Sequence, residues 1–260
     1  MIGPGKTLLT IGVCLAYLTG ASLAASRQDS RSSPRGAPGR VSPLNDDEPN
    51  ALVFSRFKFE GHMPTPDEWD TLPNGDENLL RYVSQVTNIK LSRKTWRERV
   101  VAVNDFDKMH TTPILFMTGQ VDFDFTPEEV TAINEYFKRG GFLYADDCDA
   151  DNRSGMLFYP AFLREIGKFP DIQVKRLPPN HELYHCFFDI SAGHSPWDRA
   201  FPHQATWWDR FPDMGLYYRN RMVGLLTGSD QHCGWAGRRR NMQPEALKFG
   251  ANIIVYALTH

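Results

Sequence analysis

The chain has 260 residues, 41% hydrophobic and 12% aromatic, enough to bury the core of one large α/β domain or two small ones. Its 29 basic and 31 acidic side chains leave a formal net charge of −2, which removes the electrostatic ground for a nucleic-acid partner. No 18-residue apolar run lies beyond the N-terminus, so the body of the chain should hold no membrane span.

Residues 1–25 read as a signal peptide. Lys6 supplies the positive region, Leu8 to Leu18 the apolar one, and Ser22-Leu23-Ala24 the small residues of a cleavage site. Export would make the protein periplasmic or secreted; the competing reading is an uncleaved segment that anchors it. Residues 26–50 are rich in Ser, Pro, Gly and Arg, almost without apolar residues, and predict a disordered linker. Cleavage leaves Cys148, Cys186 and Cys233 in an oxidising compartment. Three cysteines allow at most one internal disulfide; all three pairings, and three free thiols, stay open.

Residues 51–260 read as a single α/β domain. A first strand is predicted over Ala51 to Phe59, and a loop over His62 to Gly75. A helix capped by Asp76 should follow, with Leu79, Leu80 and Val83 inward. Short strands are expected at Ile89 to Leu91 and Val100 to Val103. Ile114 to Asp149 then forms a complete strand–helix–strand unit. Ile114-Leu115-Phe116-Met117 and Phe142-Leu143-Tyr144-Ala145 are unbroken apolar runs, as in parallel strands covered on both faces. Between them Thr126, Pro127 and Glu129 start a helix with a capping box, Val130, Ile133 and Phe137 recur at helical spacing, and Gly140 closes it. Further on, a helix over Tyr159 to Phe169, a strand at Ile172 to Val174, a strand at Arg221 to Thr227 and a last helix from Pro244 to Leu258 are expected. Residues 191–215, with three tryptophans and little periodicity, read as an insertion or lid.

A right-handed crossover opens the carboxyl ends of parallel strands on one edge, where α/β sheets bind ligands. The polar residues placed there are Gly119, Gln120, Asp146, Asp147 and Asp230, to which His181, held by Pro178 and Pro179, adds an imidazole. Carboxylates beside a histidine suit acid/base chemistry or a divalent metal, although the spacing matches no compact metal signature. Acids at strand ends also cap helices and turns. As catalytic candidates, Asp147 would be base or ligand and His181 acid or ligand. Cys148 sits where a nucleophile elbow would present a thiol, but it lacks the flanking glycines, and its acidic neighbours raise a thiol's pKa.

Several of these stretches together resemble an uncharacterised bacterial family, the domain of unknown function numbered 4159. They include Phe57-Lys58-Phe59, Glu68-Trp69, Asn78-Leu79-Leu80, Phe116-Met117-Thr118-Gly119, Gly140-Gly141-Phe142-Leu143, Ala145-Asp146-Asp147-Cys148, Leu177-Pro178 with His181, and Asp230 with Cys233-Gly234-Trp235. The resemblance covers roughly Leu52 to Thr259. It implies a class I glutamine-amidotransferase-like, flavodoxin-like fold, mostly parallel with helices on both faces, and no activity. Amidotransferases use a cysteine in a glycine-flanked elbow with a His–Glu pair, a pattern from which the chain departs at Cys148.

The reading is an exported domain that binds a small polar ligand or a partner in the edge crevice. Its alternatives are an Asp/His hydrolase, with or without a metal, and a structural component of an envelope complex that docks through residues 191–215.

Overall fold

The computed structural model describes residues 51–59, 69–148, 156–190, 207–238 and 242–260. The signal and linker expected over 1–50, and 191–206 of the expected lid, lie outside the described residues.

Five short strands run parallel because helices can cover both their faces: β1 (Phe54–Lys58), β2 (Val100–Ala102), β3 (Ile114–Gly119), β4 (Phe142–Asp147) and β7 (Arg221–Thr227). Two further strands, β5 (Ile172–Arg176) and β6 (Met214–Tyr218), extend the sheet, with β6 antiparallel to both neighbours. The order is β2-β1-β3-β4-β7-β6-β5. Its five parallel strands reproduce the flavodoxin arrangement.

The pleat sorts the core into two layers. Leu115, Met117, Leu143 and Ala145 point to the face covered by α3 (Pro127–Lys138) and α4 (Phe158–Ile166). Ile114, Phe116, Phe142 and Tyr144 point to the opposite face, where they pack with α1 (Pro73–Val86), α6 (Gln231–Trp235) and α7 (Gln243–Thr259). Two short helices, α2 (Phe106–His110) and α5 (Trp207–Arg210), complete the described helices longer than a 3-10 turn. The capping box of α3 forms as its sequence requires: Thr126 Oγ1 accepts from the Glu129 N–H at 3.2 Å, and Glu129 accepts the Thr126 N–H at 2.8 Å. Gly140 follows with φ 106°, a left-handed value that suits glycine.

Three expectations change. Helix α1 begins at Pro73, so Asp76 lies inside its first turn and is a buried ion-pair partner, not the cap. The strand expected at Ile89 to Leu91 reduces to one isolated bridge between Leu52 and Leu91. The expected lid, 191–215, ends in the first two residues of a full strand, Met214–Tyr218. That strand turns into β7 through Arg219 and Asn220, with Arg219 at φ 56°. A two-residue hairpin without Gly or Asn-Gly lacks the usual signal for such a turn.

Candidate functional site

Two consecutive acids end β4, and the pleat sends them to opposite faces. Each carboxylate accepts the N–H of the second residue of a helix, where backbone donors lack intrahelical partners. Asp146 Oδ2 accepts from His232 N in α6 at 2.9 Å, and Asp147 Oδ2 accepts from Tyr159 N in α4 at 2.7 Å. Thr227, opposite Asp146 on β7, donates its hydroxyl to Asp146 Oδ1 at 2.6 Å, with Tyr144 Oη 3.0 Å from the same hydroxyl oxygen. Asp146 is fully enclosed, and burial pushes its pKa well above the usual carboxylate range. The hydroxyl of Thr227 and the His232 N–H oppose that rise, while Asp230 and Asp147 add to it. The acids expected to face a ligand therefore spend oxygens on holding two helices to the sheet.

Beyond them the rim carries thiols and a third carboxylate. Cys148 N donates to Gly119 O at 3.1 Å, and Gln120 Nε2 donates to Cys148 O at 2.6 Å, which ties the ends of β3 and β4 together. Cys148 Sγ lies 3.0 Å from Cys233 Sγ in α6. Asp230, between β7 and α6, adopts φ 56° and ψ 37°, a left-handed conformation uncommon for a non-glycine residue. Its carboxylate joins the two sulfurs, so that one ligand atom from each of Cys148, Asp230 and Cys233 lies within 4.8 Å of the others. The hydrogen bond with Cys233, burial and the nearby Asp230 push the Cys148 thiol well up. Cys233 is also raised: the hydrogen bond with Cys148 lowers it, but burial and Asp230 outweigh that. An exposed, low-pKa nucleophile is absent from this pair. Two thiols and a carboxylate are instead a donor set for a thiophilic divalent cation.

At the flavodoxin-type switch point, between the carboxyl ends of β1 and β3, the described residues pack as an apolar cluster. Phe59 packs at a tilt against Phe123 and Phe158, with centroid distances of 5.0 and 5.8 Å, and a Cβ at Gly119 would meet the Phe59 ring at 3.2 Å. The acids and thiols gather two strands over, between β4 and β7.

Behind the rim lies a buried charge network. Arg56 on β1 donates to Asp76 Oδ1 at 2.5 Å and Oδ2 at 3.2 Å, and to the carbonyls of Trp69 and Thr71 at 2.8 and 3.0 Å. Its guanidinium sits 4.9 Å from the centroid of Phe116. His232 Nε2 lies 3.2 Å from Asp76 Oδ1 and 3.1 Å from Leu72 O. Burial alone would raise the Asp76 pKa, but the charge of Arg56 and the contacts with His232 outweigh it and bring it to about 2. Burial and Arg56 lower the pKa of His232, which favours the neutral ring.

Of the predicted set, Gly119, Gln120, Asp146, Asp147, Cys148 and Asp230 meet at the carboxyl edge. His181 does not. Its Nδ1 accepts from Leu183 N at 3.2 Å and its Nε2 lies 3.3 Å from the Tyr217 hydroxyl. Its ring packs 5.7 Å from Tyr256, which in turn lies 6.5 Å from Phe142, the first residue of β4. The acids end that strand five residues later, roughly 16 Å along it. Pro178 and Pro179 turn the chain off β5 and back across the sheet face, so the Asp/His set read from the sequence is not assembled. The predicted site set left out Cys233, which looked like one of three equivalent cysteines, and Arg56, Asp76 and His232, the last read beside Asp230 only as part of a polar strand end. Arg56 lies in a strand that also carries Ser55 and Lys58, so nothing local marks it as buried, whereas His232 follows Asp230 at a polar strand end. Cys186 stands apart, its sulfur 3.4 Å from Asn252 O.

The topology and the edge define a mixed α/β domain with a mainly parallel, doubly covered sheet and a buried acid–thiol cluster at its carboxyl edge. A family model, Domain of unknown function (DUF4159), matches residues 56–258, and the chain belongs to that family. No curated protein matches it.

Proposed function

We propose that this is an exported domain whose carboxyl edge, around Gln120, Cys148, Asp230 and Cys233, binds a small polar ligand. The observation that supports this reading is the placement of Asp230. A left-handed residue, which costs conformational energy, turns a carboxylate toward two thiols instead of continuing the strand. Local strain of this kind collects where a site needs a group held in place. An edge that carries three acids favours a ligand rich in hydroxyl or amino donors and disfavours phosphates. The N-terminal pattern of Lys6 and the apolar run from Leu8 supports export.

Calorimetric titration of the chain with neutral sugars, amines and nucleotides tests the proposal. The expected result is saturable binding of a neutral or cationic polar compound that Asp230→Asn abolishes, with nucleotides inactive. Absence of binding by any class, or binding untouched by Asp230→Asn, would overturn it.

A further inference from the structure

We infer that Cys148, Asp230 and Cys233 form a site for a single thiophilic divalent cation such as zinc. The inference names a ligand for the edge site proposed above and rests on that reading. Its first support is the donor set. Two sulfurs and a carboxylate oxygen converge within 4.8 Å from two sequence regions more than eighty residues apart. Thiolate ligands select zinc over magnesium or calcium, and a carboxylate completes many zinc sets.

A second support is the spacing of the sulfurs. Two zinc–sulfur bonds of 2.3 Å at a tetrahedral angle separate the sulfurs by roughly 3.8 Å. The present 3.0 Å therefore requires an opening of less than about 1 Å. Binding displaces one proton from each thiol to solvent, so affinity falls as pH falls. Three protein ligands leave the fourth tetrahedral position for water or an exogenous ligand, as in zinc sites that act on a bound molecule.

The test uses the full chain, purified reduced and without an affinity tag, then equilibrated with zinc or cobalt(II). Expected are one zinc per chain by elemental analysis and, with cobalt, a thiolate-to-metal charge-transfer absorption. Cys148→Ser, Cys233→Ser and Asp230→Asn should each weaken zinc by about tenfold or more in competition with a chromogenic chelator. Cys186→Ser should change nothing. If the cysteine variants fail to fold, the cobalt spectrum of the wild type still decides. Substoichiometric zinc in the reduced chain, cobalt bound without the thiolate absorption, or a native Cys148–Cys233 disulfide with one remaining free thiol would each overturn the inference. Repeating the sugar and amine titrations on zinc-free and zinc-loaded chain separates the two proposals. Zinc without small-molecule binding sinks the ligand reading alone, and small-molecule binding without zinc sinks the metal site alone.

Discussion

Replacing Asp76 by Asn tests the buried charge network directly. The Arg56 side chain is fully enclosed, and among the described residues Asp76 is the acid it pairs with. An amide of the same shape keeps the packing but leaves the guanidinium with two carbonyls and a neutral group. Breaking a buried pair from one side typically costs about 3–5 kcal/mol, because the remaining charge stays out of water. For a domain of this size that lowers Tm by roughly 6–20 °C. The pH dependence has a definite sign. Asp76 is depressed from 3.8 to about 2 in the folded state. Its contribution, about 2 kcal/mol, is therefore fully present above pH 4 and is lost as pH falls toward 2. Denaturant unfolding of wild type and Asp76→Asn at pH 7 and at pH 2–3 measures both quantities. The gap should be largest at pH 7 and narrow in acid. A variant within about 1 kcal/mol of wild type at pH 7 would refute the claim that the pair is desolvated and mutually dependent.

Other consequences follow from the same contacts. Asp146→Asn should carry almost no penalty at pH 7: the amide oxygen accepts from His232 N, and the amide N–H can donate to the Thr227 oxygen once that hydroxyl turns its proton to Tyr144 Oη. Because the folded pKa of Asp146 is raised, wild-type stability declines as pH rises above the unfolded carboxylate value, and the variant's should be flatter there; a loss above about 2 kcal/mol in unfolding measurements at pH 7 would mean the group is ionised. Asn252, wholly buried in α7, accepts from Phe188 N at 2.8 Å and donates to the carbonyls of Leu183 and Phe188, each at 2.9 Å. Asn252→Ala should cost about 1–3 kcal/mol and speed proteolysis within 183–190, read by mass spectrometry of limited digests. His181→Ala should leave zinc and ligand titrations unchanged, because the ring lies at the opposite end of the sheet; a changed affinity would place it in the site after all.

A capping box, two unbroken apolar runs and a helical repeat determined the central strand–helix–strand unit from sequence alone, since each of those signals is local. The same runs implied a parallel sheet, and with it an edge to which Gly119, Gln120, Asp146, Asp147 and Asp230 all belong. What chain order could not decide was anything that depends on which way a side chain leaves its strand and what stands opposite. Asp146 and Asp147 are neighbours in sequence, yet a two-residue period sends them to different helices. His181 follows β5 closely but is carried away from the edge by its turn. Cys233 meets Cys148 only because α6 starts beside the end of β4. Arg56 pairs with Asp76 and His232 across distances of 20 and 176 residues. Burial is a property of the packed layers, and it alone turns those ordinary ionisable residues into a coupled network and a cluster of thiols and acids.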